Sequence, residues 1–140
     1  MKKIHLVFLV FTFLLACSKE IEKVITEEYP DGNPKIVKYY KKDGRQKKFI
    51  KEIAYYPNHQ MRYEGEFVDG EKHGKWVYYY DNGRKWSEGL FLNGKREGPA
   101  MTWYENGQLY IKGEYDAGTR TGTWYFYDED GSLLKEISYD

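Results

Sequence analysis

The sequence predicts an all-β fold, an antiparallel meander of β-hairpins in a single curled sheet that repeats every 24 residues. Two observations predict it. Aromatic residues make up 19% of the 140 residues, with 15 tyrosines, and such residues favour strands. Glycines recur in phase, which marks stacked supersecondary units. The four series are Gly65, Gly89 and Gly113; Gly70, Gly94 and Gly118; Gly74, Gly98 and Gly122; and Gly83, Gly107 and Gly131.

Turn dipeptides recur in each unit and delimit the strands. Asn-Gly and Asp-Gly favour type I′ turns, which need positive φ at both central residues. We therefore expect two-residue loops joined by single strands of about ten residues, with two strands per repeat. One set of turns is Asp69-Gly70, Asn93-Gly94 and Ala117-Gly118, and the other is Asn82-Gly83, Asn106-Gly107 and Asp130-Gly131.

Two-residue loops fix the pairing of the residues on either side. A glycine then pairs with another glycine or lies beneath an aromatic ring, which stabilises a weak strand position. The predicted pairs around one turn are Tyr79 with Trp86, Tyr78 with Ser87, and Trp76 with Gly89. Those around the preceding turn are Gly65 with Gly74 and Tyr63 with Trp76.

Alternation along the strands sorts the side chains onto two faces. We expect one face to be packed, because it collects most apolar and aromatic side chains together with the glycines. Its members are Met61, Tyr63, Phe67, Trp76, Tyr78, Tyr80, Phe91, Tyr104, Leu109, Ile111, Tyr115, Trp124, Phe126 and Leu133. The other face is wetter, because one repeat position holds Glu64, Glu88 and Lys112 in turn. A position that accepts either charge indicates solvated surface.

A regular aromatic stripe on the wetter face is the candidate binding site. Cross-strand aromatic pairs stabilise hairpins by roughly 0.2–1 kcal/mol each, so a purely structural role is one interpretation. The other is a platform on which a sugar ring or a partner's side chain stacks. The stripe consists of Tyr79, Trp86, Trp103, Tyr110 and Tyr127, with predicted cross-strand pairs Tyr79–Trp86, Trp103–Tyr110 and Tyr127–Leu134.

The N-terminus reads as a secretory signal. Two lysines precede an apolar run over residues 4–15, which is too short to span a bilayer. The run ends in Leu14-Leu15-Ala16-Cys17, which resembles a bacterial lipobox. That resemblance implies cleavage of residues 1–16 and lipidation of Cys17, with several acyl chains for firm anchoring. We expect residues 17–28 to form the lipidated Cys and a polar tether, and Ser18 is compatible with the outer membrane of a bacterial cell envelope.

Residues 29–140 form the predicted repeat domain, in which residues 29–52 are a degenerate cap. Terminal repeats are commonly atypical and polar. Loss of residues 1–16 leaves 20 basic against 22 acidic residues, a balance that argues against nucleic acid as a partner.

Catalytic signatures are missing from the sequence. Repeat arrays usually present binding surfaces rather than buried catalytic pockets. His59 and His73 have no second ligand-type residue at the spacing of a zinc site, and no nucleophile motif or phosphate loop is present. We expect no enzyme activity, no metal and no cofactor.

The recurring string Trp76-x-x-x-Tyr80-x-x-Gly83 returns as Trp103-Tyr104-Glu105-Asn106-Gly107. Together with the glycine series it resembles the MORN-repeat variant family of bacteria, with departures at His59, Ala100 and Ile137. The resemblance implies a hairpin array that serves as a scaffold or binding module for proteins or membranes. Some bacterial variants carry an antitoxin label, which fits an exported lipoprotein poorly.

Residues 122–133 also resemble the choline-binding and glucan-binding repeats of surface proteins, although their period is shorter. Two functions follow. The leading one is a lipid-anchored surface for an envelope protein partner, and the alternative is binding of cell-wall or surface glycan by the aromatic stripe.

Overall fold

The computed structural model describes residues 20–140, so the predicted signal and Cys17 lie outside the described residues. Within that range the chain forms one open antiparallel sheet of ten strands, which pair in the order in which they follow along the chain. The all-β meander is confirmed. The strands are β1 Ile21–Glu28, β2 Pro34–Asp43, β3 Gln46–Tyr55, β4 Met61–Val68, β5 Glu71–Tyr79, β6 Lys85–Leu92, β7 Lys95–Trp103, β8 Leu109–Asp116, β9 Thr119–Tyr127 and β10 Leu133–Tyr139.

The loops at one end of the hairpins are the predicted type I′ turns. Asp69 and Gly70 have φ angles of 50° and 85°, and Val68 pairs with Glu71 across them. Asn93-Gly94 and Ala117-Gly118 repeat this geometry. Positive φ at both central residues is what this turn requires, which explains the recurrent Asx-Gly dipeptides.

The loops at the other end differ from the prediction, because they contain three residues. The Tyr80 N–H donates to the Arg84 carbonyl, and the Gly83 N–H donates to the Tyr80 carbonyl. Only Gly83, with φ 83°, is left-handed, while Asn82 accepts a hydrogen bond from the Arg84 N–H. This is a type I turn closed by a left-handed glycine.

A bulge at Trp86 restores the expected register beyond that loop. Tyr79 pairs with Lys85, and the next pair is Tyr78 with Ser87. The three-residue loop shifts the pairing by one residue, and the bulge at Trp86 shifts it back. The predicted pairs Tyr78–Ser87 and Trp76–Gly89 are therefore correct. The predicted pairing of Tyr79 with Trp86 is wrong.

A second bulge corrects the register around Asp69-Gly70. The ladder passes from Glu66–His73 directly to Gly65–Trp76, so Gly74 and Lys75 have no partner on β4. The predicted pairs of Gly65 with Gly74 and of Tyr63 with Trp76 are therefore wrong. Gly74 has φ 63°, a left-handed conformation that breaks the ladder, and Gly98 and Gly122 repeat it.

The sheet buries side chains on both faces, whereas the sequence predicted one packed face. On the face that carries Trp76, the buried apolar residues include Trp76 and Trp124, at 2% and 3% exposure. On the face that carries Val77, Val37 and Ile53 are buried with it. These are called the Trp76 face and the Val77 face below.

The Trp76 indole lies directly over Gly65, as the sequence indicated for aromatic residues above glycines. A Cβ added at Gly65 would overlap the indole, and the indole N–H donates to the Glu66 carbonyl at 3.1 Å. Trp124 repeats both features over Gly113, two periods later.

The predicted tether differs from the structure, because residues 21–28 form β1. This strand pairs with β2, and the Glu22 carboxylate forms an ion pair with Lys47 at 2.7 Å. Three consecutive β-branched residues, Val24, Ile25 and Thr26, favour the extended conformation, although the polar composition of the segment predicted a tether. Within residues 20–140, no helix is long and apolar enough to cross a membrane.

Candidate binding surface

The five residues of the predicted stripe do not form one surface. The three-residue loops place Trp86 and Tyr110 in bulges, so neither pairs with Tyr79 or Trp103 as expected. Tyr127 pairs with Leu133 instead of Leu134 for the same reason. The stripe is therefore divided between the two faces.

Trp86 and Tyr110 pack beside residues of the Trp76 face. The Trp86 ring makes an edge contact with Tyr78 at 6.0 Å and lies 6.3 Å from Tyr80, while Tyr110 lies 4.6 Å from Tyr104. Both remain open to solvent, with 45% and 37% of their surfaces exposed. They are the stripe members most available to a ligand.

The other stripe members lie on the Val77 face, where polar side chains from neighbouring strands contact them. The Lys85 ammonium is 5.1 Å from the Trp103 ring centroid, and the Lys112 ammonium is 5.7 Å from that of Tyr127. The Tyr79 hydroxyl donates to Glu64 at 3.4 Å. These contacts support a largely structural role for this half of the stripe.

A tyrosine ladder links successive repeats and was missed by the sequence reasoning. The first four three-residue loops each open on a tyrosine, which donates its hydroxyl to a carbonyl about one repeat further along. These bonds join Tyr29 to Tyr55, Tyr56 to Tyr79, Tyr80 to Trp103 and Tyr104 to Tyr127, all at 2.8–2.9 Å. Recurrence of a tyrosine immediately before each Asx turn was the signal that could have revealed it.

Ion pairs follow the Val77 face at one repeat position and then stop. Lys51 bonds to Glu64 at 2.7 Å, and Glu88 bonds to Lys75 at 3.1 Å and to Lys85 at 2.7 Å. Burial raises the pKa of the Glu88 carboxyl, but hydrogen bonds from Lys85 and Lys75 outweigh it and leave the pKa below its usual value. The next repeat places Lys112 where these glutamates stand.

Lys112 has no carboxylate partner within residues 20–140. The strand beside it offers Pro99 where the earlier repeats have Lys51 and Lys75, and the Lys112 ammonium lies 4.7 Å from the Tyr125 ring instead. Reversal of the charge has therefore exchanged an ion pair for a cation against aromatic rings.

An open cleft of about 420 Å³ surrounds Lys112 on the Val77 face. Its walls are side chains of β7, β8 and β9, and its floor is the backbone of Ala100, Gly113 and Gly122. The wall residues are Pro99, Met101, Lys112, Glu114, Thr121, Thr123 and Tyr125. The corresponding cleft two repeats earlier, lined by Lys51, Glu64, Glu66, Lys75 and Val77, measures only about 190 Å³.

No metal centre is evident in the part of the chain that the structure describes. Residues 20–140 contain no group of three or more His, Cys, Asp or Glu side chains placed to hold an ion. His59 contacts the Asp31 carboxylate at 3.0 Å, and the Nδ1 atom of His73 is buried without a hydrogen-bond partner.

Comparison with known proteins assigns the repeats. The sequence profile of the MORN repeat variant family matches residues 72–93, 96–117 and 120–140. Each match begins on the strand that follows a type I′ turn and includes the next hairpin loop. Residues 72–140 thus contain three consecutive repeats that match the MORN repeat variant family. No curated protein matches the sequence.

Several solved structures are similar over most of this chain. A mutant of S. aureus TarM, in complex with fondaparinux, α-GlcNAc-glycerol and UDP, is 19% identical with a TM-score of 0.46, covering 82% of this chain and 21% of TarM. A second TarM structure gives 11% identity and a TM-score of 0.34, covering 83% and 19%. A Bacteroides fragilis protein of unknown function gives 12% and 0.27, covering 87% and 94%. This chain spans about a fifth of TarM.

Proposed function

We propose that this chain is a noncatalytic, lipid-anchored protein of the bacterial cell envelope, at the outer membrane, whose repeats form an interaction surface for an envelope protein. The lipid on Cys17 holds it to the membrane, and β1 begins four residues later, so the sheet lies close to that surface. MORN repeats often serve in association with proteins or membranes, which supports this role.

One observation favours a protein partner above all. Several apolar side chains on the Val77 face are exposed near the type I′ turns, although this face also carries charged residues. Val68, Leu90 and Leu92 expose 46%, 39% and 48% of their surfaces. Exposed apolar side chains among polar residues are the surface that a protein partner covers.

The ion pairs of the glutamates on the Val77 face support a noncatalytic role. Glu64 and Glu88 are engaged in ion pairs, and the repeat position that they share carries Lys112 in the third unit. A general acid or base pair needs two carboxyl groups held in a fixed relation to one substrate, whereas here the charge at the shared position is reversed in the third unit.

In-cell crosslinking followed by mass spectrometry of the full, tagged chain in its own host tests the proposal. We expect one dominant envelope protein to be recovered. Recovery of no protein, with the chain retained in the wall or glycan fraction, would contradict the protein-partner role. A Cys17→Ala variant provides the control for anchoring, because it should move from the membrane fraction to the soluble envelope fraction. Unchanged membrane fractionation of this variant would contradict the lipid anchor.

A second candidate function, glycan binding, is favoured by the two exposed rings of Trp86 and Tyr110. Aromatic rings that are open on one side can stack against sugar rings. Retention on isolated envelope polysaccharide should then be lost in Trp86→Ala and Tyr110→Ala while the melting temperature changes little. Trp103→Ala is the comparison variant, since Lys85 already occupies the space next to that ring.

A further inference from the structure

We propose that the cleft around Lys112 binds a carboxylate of the envelope protein partner, in an acidic segment that also carries apolar side chains. This inference rests on the proposed protein-binding function and identifies the surface and the chemistry of the partner. The carboxylate meets the Lys112 ammonium, and the neighbouring apolar side chain lies against Met101 and Pro99.

The first argument is the interrupted row of ion pairs. Two repeats satisfy this position internally, through Glu64 with Lys51 and Glu88 with Lys75. The third has a cation at the position of the glutamates and Pro99 at the position of the lysines. Within residues 20–140 no carboxylate forms an ion pair with the Lys112 ammonium, so its positive charge is available to a carboxylate of a partner.

The second argument is that aromatic rings alone stabilise the Lys112 ammonium in the unbound protein. Its ammonium lies 4.7 Å and 5.7 Å from the ring centroids of Tyr125 and Tyr127. A cation beside an aromatic ring is stabilised less than one that makes a charge-assisted hydrogen bond to a carboxylate. The rings therefore hold the ammonium in the cleft without satisfying its charge.

The third argument is the composition of the walls. Pro99 and Met101 supply apolar surface on one side, and the hydroxyl groups of Thr121 and Tyr125 have no hydrogen-bond partner within residues 20–140. A few charged and polar groups among apolar surface are the usual composition of a specific binding pocket.

Glu114 restricts the direction of binding. It lies two residues from Lys112 on the same face of β8 and lines the same cleft. Its charge repels a carboxylate, so the acidic group must enter on the side of Tyr125. Removal of this charge should therefore strengthen binding, and removal of the Lys112 charge should abolish it.

Methyl NMR of the full chain in detergent micelles tests the site directly. Residues 20–140 contain two methionines, of which Met101 lines the cleft and Met61 does not, so the second methyl group is an internal control. The probe is the peptide acetyl-Glu-Phe-Glu-Phe-amide, and its uncharged counterpart is acetyl-Gln-Phe-Gln-Phe-amide. We expect the acidic peptide alone to shift the Met101 signal, with an affinity that falls as salt is added.

Two variants give opposite expected results. Lys112→Glu introduces the residue that the two preceding repeats carry and should weaken binding by about tenfold or more, with an unchanged melting temperature. Glu114→Gln should strengthen binding by about threefold. Equal shifts with both peptides, or unchanged binding in Lys112→Glu, would overturn the proposal.

A third probe separates the source of the carboxylate. Binding of a galacturonic acid trimer in place of the acidic peptide would contradict the assignment of a protein partner. Peptide binding is measured outside the host cell, whereas the general function is tested by crosslinking inside it. The two experiments can therefore fail independently of each other. Crosslinking could recover an envelope protein while the acidic peptide leaves the Met101 methyl signal unshifted. That result would overturn the proposed site and leave the general function standing.

Discussion

The repeat that contains Trp76 and the repeat that contains Ala100 have the same strand pattern, but different side chains cover the glycine of the preceding strand. In the first, an indole covers Gly65, and the Lys72 ammonium lies 3.9 Å above the indole. In the second, Ala100 lies opposite Gly89, and the Arg96 guanidinium lies 5.3 Å from both the Phe91 and Tyr115 rings.

The difference teaches that the array tolerates loss of an indole in a central unit. A planar guanidinium between two aromatic rings recovers part of the lost contact. The same unit carries Pro99 and Lys112 on its other face, where the two preceding repeats carry ion pairs. The Ala100 repeat thus departs from the pattern on both faces, whereas the Trp76 repeat follows it on both.

The largest expected contrast lies between the two glycines beneath these positions. Gly65→Ala should destabilise the protein by about 3 kcal/mol, because the added Cβ overlaps a buried indole that cannot move. Gly89→Ala should destabilise it by less than about 1 kcal/mol, since the added methyl meets the flexible end of Arg96 at 3.3 Å and lies at ordinary contact distances from Ala100 (3.7 Å) and the Pro99 carbonyl (3.8 Å). Urea unfolding of both variants measures the contrast. Equal losses would show that the two repeats are packed alike.

Restoring the missing indole should stabilise the second repeat. Ala100→Trp places a ring over Gly89, in the geometry of Trp76 over Gly65, and should add about 1 kcal/mol to the free energy of unfolding. Arg96 must turn outward, as Lys72 and Arg120 do above their tryptophans. Thermal unfolding checks the prediction. A clear loss of stability would mean that Arg96 is a better partner for these rings than an indole.

The tyrosine ladder should contribute equally in both repeats. Tyr80→Phe removes the hydrogen bond from its hydroxyl to the Trp103 carbonyl at 2.8 Å and should destabilise the protein by about 1 kcal/mol. Tyr104→Phe should have the same effect, because its bond to Tyr127 has the same geometry. Tyr110→Phe is the control, since its hydroxyl makes no hydrogen bond within residues 20–140. Loss of stability in the control alone would contradict the ladder.

The smallest expected effect is a pH dependence of the first turn. A backbone hydrogen bond from Asn33, with further bonds to Asn33 and His59, lowers the pKa of Asp31 to about 2. Stability from this carboxylate is therefore present above its unfolded pKa of about 3.9 and is lost as the pH falls through 2. Asp31→Asn keeps the Asx turn that Asn82 forms and should remove this dependence. Melting temperatures should differ between the two proteins above pH 5 and converge near pH 2, and a constant difference would contradict the assignment.

The sequence predicted the architecture well because glycine spacing and Asx-Gly dipeptides report directly on turns. It also predicted the pairing of Trp76 with Gly89, which is correct, but the glycine that the indole covers is Gly65. The bulges were not predictable in the same way. A glycine such as Gly74 can pair within a strand or interrupt it, and only the left-handed φ of the folded chain decides between them.

Prediction of the binding surface depended on that same register. A one-residue slip moves a side chain to the other face, so a loop of three residues rather than two separated Trp86 from Tyr79. The charge reversal at Lys112 is visible in the sequence, where it indicates solvated surface. The sequence does not show that Pro99 and Tyr125 lie beside Lys112, and this arrangement makes the position a candidate binding site.

Site-specific photocrosslinking in the host cell tests most directly whether the Ala100 repeat is the interacting one. Thr123 and Lys75 occupy equivalent positions on the Val77 face, two periods apart, and line the large cleft and the small ion-paired cleft respectively. A photoreactive residue at position 123 should crosslink to one envelope protein, and the same residue at position 75 should not. Equal crosslinks at both positions, or a crosslink at position 75 alone, would contradict the assignment of binding to the repeat that departs from the pattern.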